Sequence, residues 1–137
     1  VMYEQVRQAY HHIAKEFKLG ILPSGDAMYL ADTVPNWGYK PDTTFKAELS
    51  KYPSLPNQIH SLHAGWRWRE QDDKTYKLRM DGHHASEAGK YLLGCVWFEV
   101  FFEESAVNND FIPKGIDPAY AHFLQSTAHQ AVKNLEE

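Results

Sequence analysis

The sequence predicts an α/β fold that is mostly helical within this chain. Three segments carry apolar residues at helical spacing, and one short apolar run, Ile21-Leu22, stands between a glycine and a turn. Helix, glycine, apolar run and turn in that order are typical of an α/β unit. The chain has 137 residues, of which 43% are hydrophobic, so one domain with a packed core is expected.

The first predicted helix runs from Met2 to Lys18 and ends at Gly20. Its apolar face consists of Met2, Val6, Ala9, Tyr10, Ile13 and Phe17. No Ser, Thr, Asp or Asn precedes this face, so the chain is expected to begin inside a helix. The predicted strand Ile21-Leu22 needs partner strands, since a lone strand leaves its backbone groups unpaired. We expect those partners on a segment that precedes Val1.

Between the predicted strand and the last two helices, the apolar residues show little regular spacing. Asp26 is expected to cap a short helix that closes before Pro35. From Val34 to about Lys77 the stretch is rich in proline and aromatic residues, and it predicts a long irregular connection. A connection of this length is often functional.

Two long helices are predicted in the second half of the chain. Ser86 is a good N-cap for a helix that extends to Phe102. This helix is apolar nearly all round, so it should be buried or should face another subunit, as in a homo-oligomer. Asp117 is the expected cap of a final helix that runs toward Leu135.

The most informative segment, residues 81–92, reads DGHHASEAGKYL. It resembles the last conserved block of the SGNH (GDSL-like) hydrolase superfamily: Asp, two variable residues, His, a small residue or Pro, Ser or Thr, and then a Gly that opens the final helix. Asp81, His84, Ser86 and Gly89 occupy those positions. The resemblance extends over roughly Met2 to Phe102.

This resemblance implies a fold and a reaction. Residues 1–137 would be the C-terminal portion of one three-layer α/β/α, flavodoxin-like domain whose N-terminal part is missing. The activity would be a serine esterase that removes an acyl group such as acetate from a carbohydrate, without a cofactor. His84 would be the catalytic base and Asp81 would orient it, while the serine belongs to an earlier Gly-Asp-Ser-like block that does not precede Asp81 here. This chain alone is therefore expected to be inactive, and family habit suggests a secreted or periplasmic bacterial enzyme.

The spacing of the motif agrees with this chemistry. A catalytic histidine needs a carboxylate on its second ring nitrogen, which fixes the tautomer. Asp81 and His84 on one turn before an anchored helix would satisfy that need. Gly82 is expected to give the turn its backbone freedom, and Gly89 to allow close approach at the start of the helix.

Other interpretations of the polar residues remain open at this point. His83 is expected to be a solvated or packing residue beside His84, and Ser24 a turn residue rather than the nucleophile. A metal site could be imagined from His60, His63 and the residues around Asp81, but two loop histidines do not fix the remaining ligands, so no metal is predicted.

The tryptophans support a rival function. Trp66 and Trp68 alternate with Arg67 and Arg69, so in an extended strand they face the same way, either as a sugar-binding platform or as packing residues. A non-catalytic carbohydrate-binding or interaction domain would use these tryptophans together with Trp37 and Tyr39.

Composition excludes several classes of partner. The formal net charge is −4, which gives no electrostatic reason to expect a nucleic-acid partner. No apolar stretch is long enough to predict a membrane span. Cys95 is the single cysteine, so it cannot form an intramolecular disulfide.

Overall fold

The computed structural model describes residues 2–136 as a mixed α/β fold of four α-helices and one antiparallel hairpin. The elements are α1 (Met2–Phe17), α2 (Ser24–Thr33), β1 (His63–Glu70), β2 (Tyr76–Ala85), α3 (Glu87–Phe102) and α4 (Pro118–Glu136). The helices predicted from Met2, Ser86 and Asp117 are confirmed. No helix in the described part of the chain combines the length and apolarity needed to cross a membrane.

The core lies where α2, α3 and α4 meet. Leu92 and Val96 of α3 and Leu124 of α4 are fully buried there. Alanines on α2 and α4 that are almost completely buried, Ala27, Ala31, Ala128 and Ala131, let the helices approach closely. This packing rather than propensity holds α3 in place, because its apolar surface is buried on that side.

The predicted strand Ile21-Leu22 is wrong. These two residues lie in an irregular segment between α1 and α2. Pro23 follows and has no backbone N–H to donate, while the Ser24 N–H donates to the Leu22 carbonyl at 2.8 Å, which turns the chain into α2. The segment is too short and too sharply turned to pair as a strand.

The long irregular connection predicted from Val34 to Lys77 is also corrected, because its last part forms the hairpin. β1 pairs with β2 in antiparallel register, with Arg67 opposite Arg79 and Trp68 opposite Leu78. The turn closes through the Gln71 N–H, which donates to the Thr75 carbonyl at 2.8 Å. Two strands separated by a five-residue turn pair to form the sheet. The alternation from Trp66 to Arg69 indicated an extended segment, but the sequence did not indicate its partner strand.

Asp26 does not cap α2. The helix begins at Ser24 after Pro23 and has no side-chain cap. The Asp26 carboxylate instead accepts hydrogen bonds from the Tyr3 hydroxyl at 2.7 Å and from Arg7 Nε at 3.1 Å. These bonds attach α1 to α2. Burial, together with the hydrogen bond to Asp26, raises the pKa of Tyr3 to about 12.

Large apolar surfaces stay open. The α1 face that the sequence predicts as apolar is exposed, with Tyr10 at 66% and Phe17 at 63% of full exposure. A groove of about 570 Å³ runs between α1 and residues 19–26. On α3, Trp97, Phe101 and Phe102 are each more than half exposed. Among residues 2–136 these faces are covered only in part.

Candidate active site

The site lies at the junction of β2 and α3. Asp81 pairs with Gly65, and Ala85 pairs with His63, so three residues of β1 oppose five residues of β2. This register shift is a bulge, a feature that re-aims side chains and is common beside active sites. The Asp81 and His84 side chains therefore leave the end of a strand, and not a loop as the sequence predicted.

Asp81 and His84 form the expected contact. His84 Nδ1 lies 3.1 Å from Asp81 Oδ1 and 3.0 Å from Oδ2. The Asp81 side chain is 10% exposed and the His84 side chain 82% exposed. An ionised carboxylate can only accept, so the shared proton belongs on Nδ1 and the neutral ring keeps a free lone pair on Nε2.

The backbone of the bulge holds Asp81 as a carboxylate. The N–H groups of His84 and His83 donate to Oδ1 at 3.0 and 3.2 Å. The His84 backbone hydrogen bond is the main cause that lowers the pKa of Asp81 well below its ordinary value, and the His83 N–H and the His84 ring contribute further. Asp81 is therefore charged at any pH at which an esterase would work.

Arg67 is a third member of the site that the sequence analysis missed. Its Nη2 lies 2.5 Å from Asp81 Oδ2, the oxygen that also faces His84. Its Nε is buried without a partner among residues 2–136, so Asp81 is what holds the guanidinium. The only sequence feature that pointed to Arg67 was the alternation of tryptophan and arginine from Trp66 to Arg69. This alternation puts Arg67 on the same face as Asp81 only when the hairpin register, with Gly65 opposite Asp81, is known.

The anchor of the site is the start of α3. The Ser86 hydroxyl accepts from the Gly89 N–H at 3.1 Å and donates to the Ser61 carbonyl at 2.7 Å, so the predicted N-cap is confirmed. A side chain at Gly89 would collide with the Leu62 carbonyl oxygen, which confirms the predicted close approach. Gly82, in contrast, has open space around it and no positive φ, so the expected need for glycine there is wrong.

No hydroxyl nucleophile meets His84 within the described residues. The His84 ring hydrogen-bonds only to Asp81 in that range. Ser24, the serine weighed in the sequence, lies at the start of α2 and accepts from Trp97 Nε1 at 3.3 Å. The structure thus brings Asp81 and His84 together, and it places Ser24 elsewhere.

Trp66 and Trp68 do not lie beside Asp81 and His84. Residues paired across an antiparallel ladder share a face, so Arg67 lies on the face of Asp81 and both tryptophans lie on the opposite face. Trp66 contacts Phe45 at a ring-centroid distance of 5.6 Å, and Trp68 Nε1 donates to the Ser54 carbonyl at 2.9 Å. Both side chains are half-buried, and they pack loop 45–54 onto the hairpin.

The histidines weighed as metal ligands are dispersed. The His60 ring makes tilted contacts with Tyr120 and Trp37, at ring-centroid distances of 4.3 and 5.2 Å, and Trp37 packs against the core. His63 opens β1. Within residues 2–136 no group of three or more His, Cys, Asp or Glu side chains is arranged to hold a metal ion.

A second acid–histidine pair lies between α3 and α4. Glu99 is buried, its Oε2 is 2.9 Å from His129 Nδ1, and its Oε1 accepts from the Ala106 N–H at 2.7 Å. The Ser105 hydroxyl is 3.4 Å from the same His129 nitrogen. A catalytic triad needs the acid and the nucleophile on opposite ring nitrogens. This pair therefore clamps the end of α3 to α4 and does not form a relay.

Comparison of the chain with known protein families, with curated proteins and with solved structures finds no match.

Proposed function

We propose that this chain supplies the catalytic acid and base of an SGNH-type serine esterase. The observation that carries the proposal is the contact of Asp81 with His84 Nδ1 at 3.0 Å beside a solvent-facing ring. The motif of nine residues from Asp81 to Gly89 specifies the same pair, and Ser86 and Gly89 fix it to the rigid start of α3. Motif and geometry both favour this assignment.

In the proposed reaction His84 Nε2 removes the proton from a serine hydroxyl supplied from outside residues 1–137. The serine oxygen attacks the ester carbonyl, and the imidazolium formed is stabilised by the Asp81 carboxylate. His84 then gives its proton to the departing alcohol, which leaves an acyl-serine. A water molecule, deprotonated by the same nitrogen, hydrolyses that intermediate and releases the acid.

We further propose that these elements are the C-terminal portion of a three-layer α/β/α sandwich. The exposed apolar face of α1 and the exposed Trp97, Phe101 and Phe102 of α3 support this proposal. Soluble proteins rarely leave several large apolar patches open. Packing of further layers on these faces would bury them and would bring a serine toward His84.

The test uses the complete gene product that contains this segment, with p-nitrophenyl acetate and acetylated oligosaccharides as substrates. His84→Gln is expected to lower kcat by about 10⁶-fold, because the serine loses its base. His83→Gln is the matched control, since its ring makes no hydrogen bond in the described residues and should retain activity near that of the unmodified protein. Equal activity in both variants would refute the assignment of His84.

The same assay on residues 1–137 alone is expected to show no turnover. Ser24→Ala is the control for the one serine weighed as a nucleophile. Turnover by the isolated chain that disappears in Ser24→Ala would mean that the nucleophile lies within these residues after all.

A further inference from the structure

One face of the hairpin carries four cations in facing pairs. Arg67 lies directly opposite Arg79, and Arg69 lies directly opposite Lys77. Since paired residues share a face and alternate residues return to it, all four project from the same side as Asp81. We call these four residues the cationic face.

Most of this charge is uncompensated. Arg67 pairs with Asp81, but Arg69, Lys77 and Arg79 are exposed and form no ion pair within residues 2–136. Like charges directly opposite each other destabilise a ladder. The chain as a whole is acidic, with 18 Asp and Glu against 14 Lys and Arg, so the concentration of positive charge is local. An anionic ligand on this face would offset the repulsion.

One end of the cationic face lies beside Asp81 and His84. Arg67 and His84 share Asp81 Oδ2, at 2.5 and 3.0 Å. At about 3.3 Å per residue along a strand, Lys77 lies roughly 13 Å from Asp81. A ligand that reaches both ends is therefore extended. Acidic groups on it could contact the cations while an ester further along reaches His84.

We propose that the cationic face binds an acidic oligosaccharide, bearing carboxylates or sulfates, and presents its ester to His84. The substrate class rests on the proposed esterase function. Arginine binds planar anions through two parallel hydrogen bonds, which suits carboxylate and sulfate groups. Single-stranded nucleic acid is disfavoured because it needs aromatic stacking beside the cations, and Trp66 and Trp68 lie on the other face of the hairpin.

The binding test uses residues 1–137 and does not depend on catalysis. An unacetylated oligogalacturonide is expected to bind with amide shifts at Arg69, Lys77 and Arg79 in NMR spectra, and to bind more weakly as salt is raised. Lys77→Gln with Arg79→Gln should weaken binding by about tenfold or more. Lys15→Gln with Lys18→Gln removes the same charge from the α1 region and should leave binding unchanged.

Three outcomes would overturn the proposal: equal loss of binding in both double variants, equal binding of a neutral malto-oligosaccharide, or tighter binding of a single-stranded DNA of similar charge. In the complete gene product, the double variant of Lys77 and Arg79 should lower kcat/KM for acetylated oligogalacturonide about tenfold more than it lowers kcat/KM for p-nitrophenyl acetate. If the unmodified protein turns over neither ester, the esterase assignment fails, and the binding experiment still decides the role of the cationic face.

Discussion

At the scale of single residues, Asp81 is the centre of the candidate site. It accepts from two backbone N–H groups, from the His84 ring and from Arg67. This number of donors holds one carboxylate in one orientation, and the orientation of the carboxylate fixes the ring of His84 in turn. His84 itself is mostly in water, so its position depends on Asp81 rather than on packing.

The acid dependence of stability tests this role of Asp81. Its pKa is lower in the folded chain than the ordinary value of about 3.9, so its interactions stabilise the fold fully above that ordinary value. The stabilisation is lost progressively as pH falls from there toward the lower pKa of the folded chain. Asp81→Asn has no charge to lose. The unmodified chain should therefore have the higher urea midpoint at about pH 7, and the difference should shrink toward about pH 3. A difference that stays constant over this range would contradict the assigned role.

The Asp81–His84 pair could be predicted from the sequence because only two residues separate its members, and local spacing is enough to bring them together. Arg67 could not, because it meets Asp81 through the register of a hairpin whose second strand has little alternation. The contact between Glu99 and His129 was not predicted for the same reason. They lie thirty residues apart and meet only because α3 packs on α4.

At the scale of elements, the start of α3 connects the site to the core. Ser86 caps the helix, and Gly89 brings its first turn against the Leu62 carbonyl, just before β1. The helices were predictable because a cap and an apolar period of 3.6 residues are properties of one segment. The hairpin was not, since a strand becomes stable only with a partner, and the apolar run Ile21-Leu22 has none.

Two glycines of α3 provide a matched test of this anchor. Gly89→Ala is expected to destabilise the chain by about 1–3 kcal/mol, because the added methyl group must displace backbone. Gly94→Ala lies in the same helix with open space around it, and it should stabilise by roughly 0.5–1 kcal/mol through helix propensity. Urea unfolding of both variants measures these two changes in the free energy of unfolding. Changes of the same sign would show that the close contact at Gly89 does not limit the helix.

At the scale of the whole molecule, packing is uneven. The buried cluster joins α2, α3 and α4, while α1 is attached mainly through Asp26, the buried Ala14 and a stack of Tyr3 on Tyr29 at 4.0 Å. The sequence predicted the apolar face of α1 correctly as a pattern, but a pattern does not state what covers it. In residues 2–136 it is covered only in part, and the sandwich that we propose would bury it.

Substitutions on that face can test the proposed sandwich by comparing two contexts. Tyr10 and Phe17 are 66% and 63% exposed, so Tyr10→Lys with Phe17→Lys should change the stability of residues 1–137 by no more than about 0.5 kcal/mol per site. In the complete gene product the same face would be buried under further layers, and a lysine there would place an unpaired charge in an apolar interface. The loss should then exceed about 2 kcal/mol, measured as the change in the free energy of unfolding in urea.

Leu124→Ala is the control for the sensitivity of the measurement. It should cost about 2–5 kcal/mol in either context, because Leu124 is fully buried in this chain. A double lysine variant that is equally harmless in both contexts would mean that α1 faces solvent in the complete protein. The three-layer arrangement would then fail while the Asp81 and His84 assignment could stand, because the contact between these two residues needs only the hairpin and the start of α3.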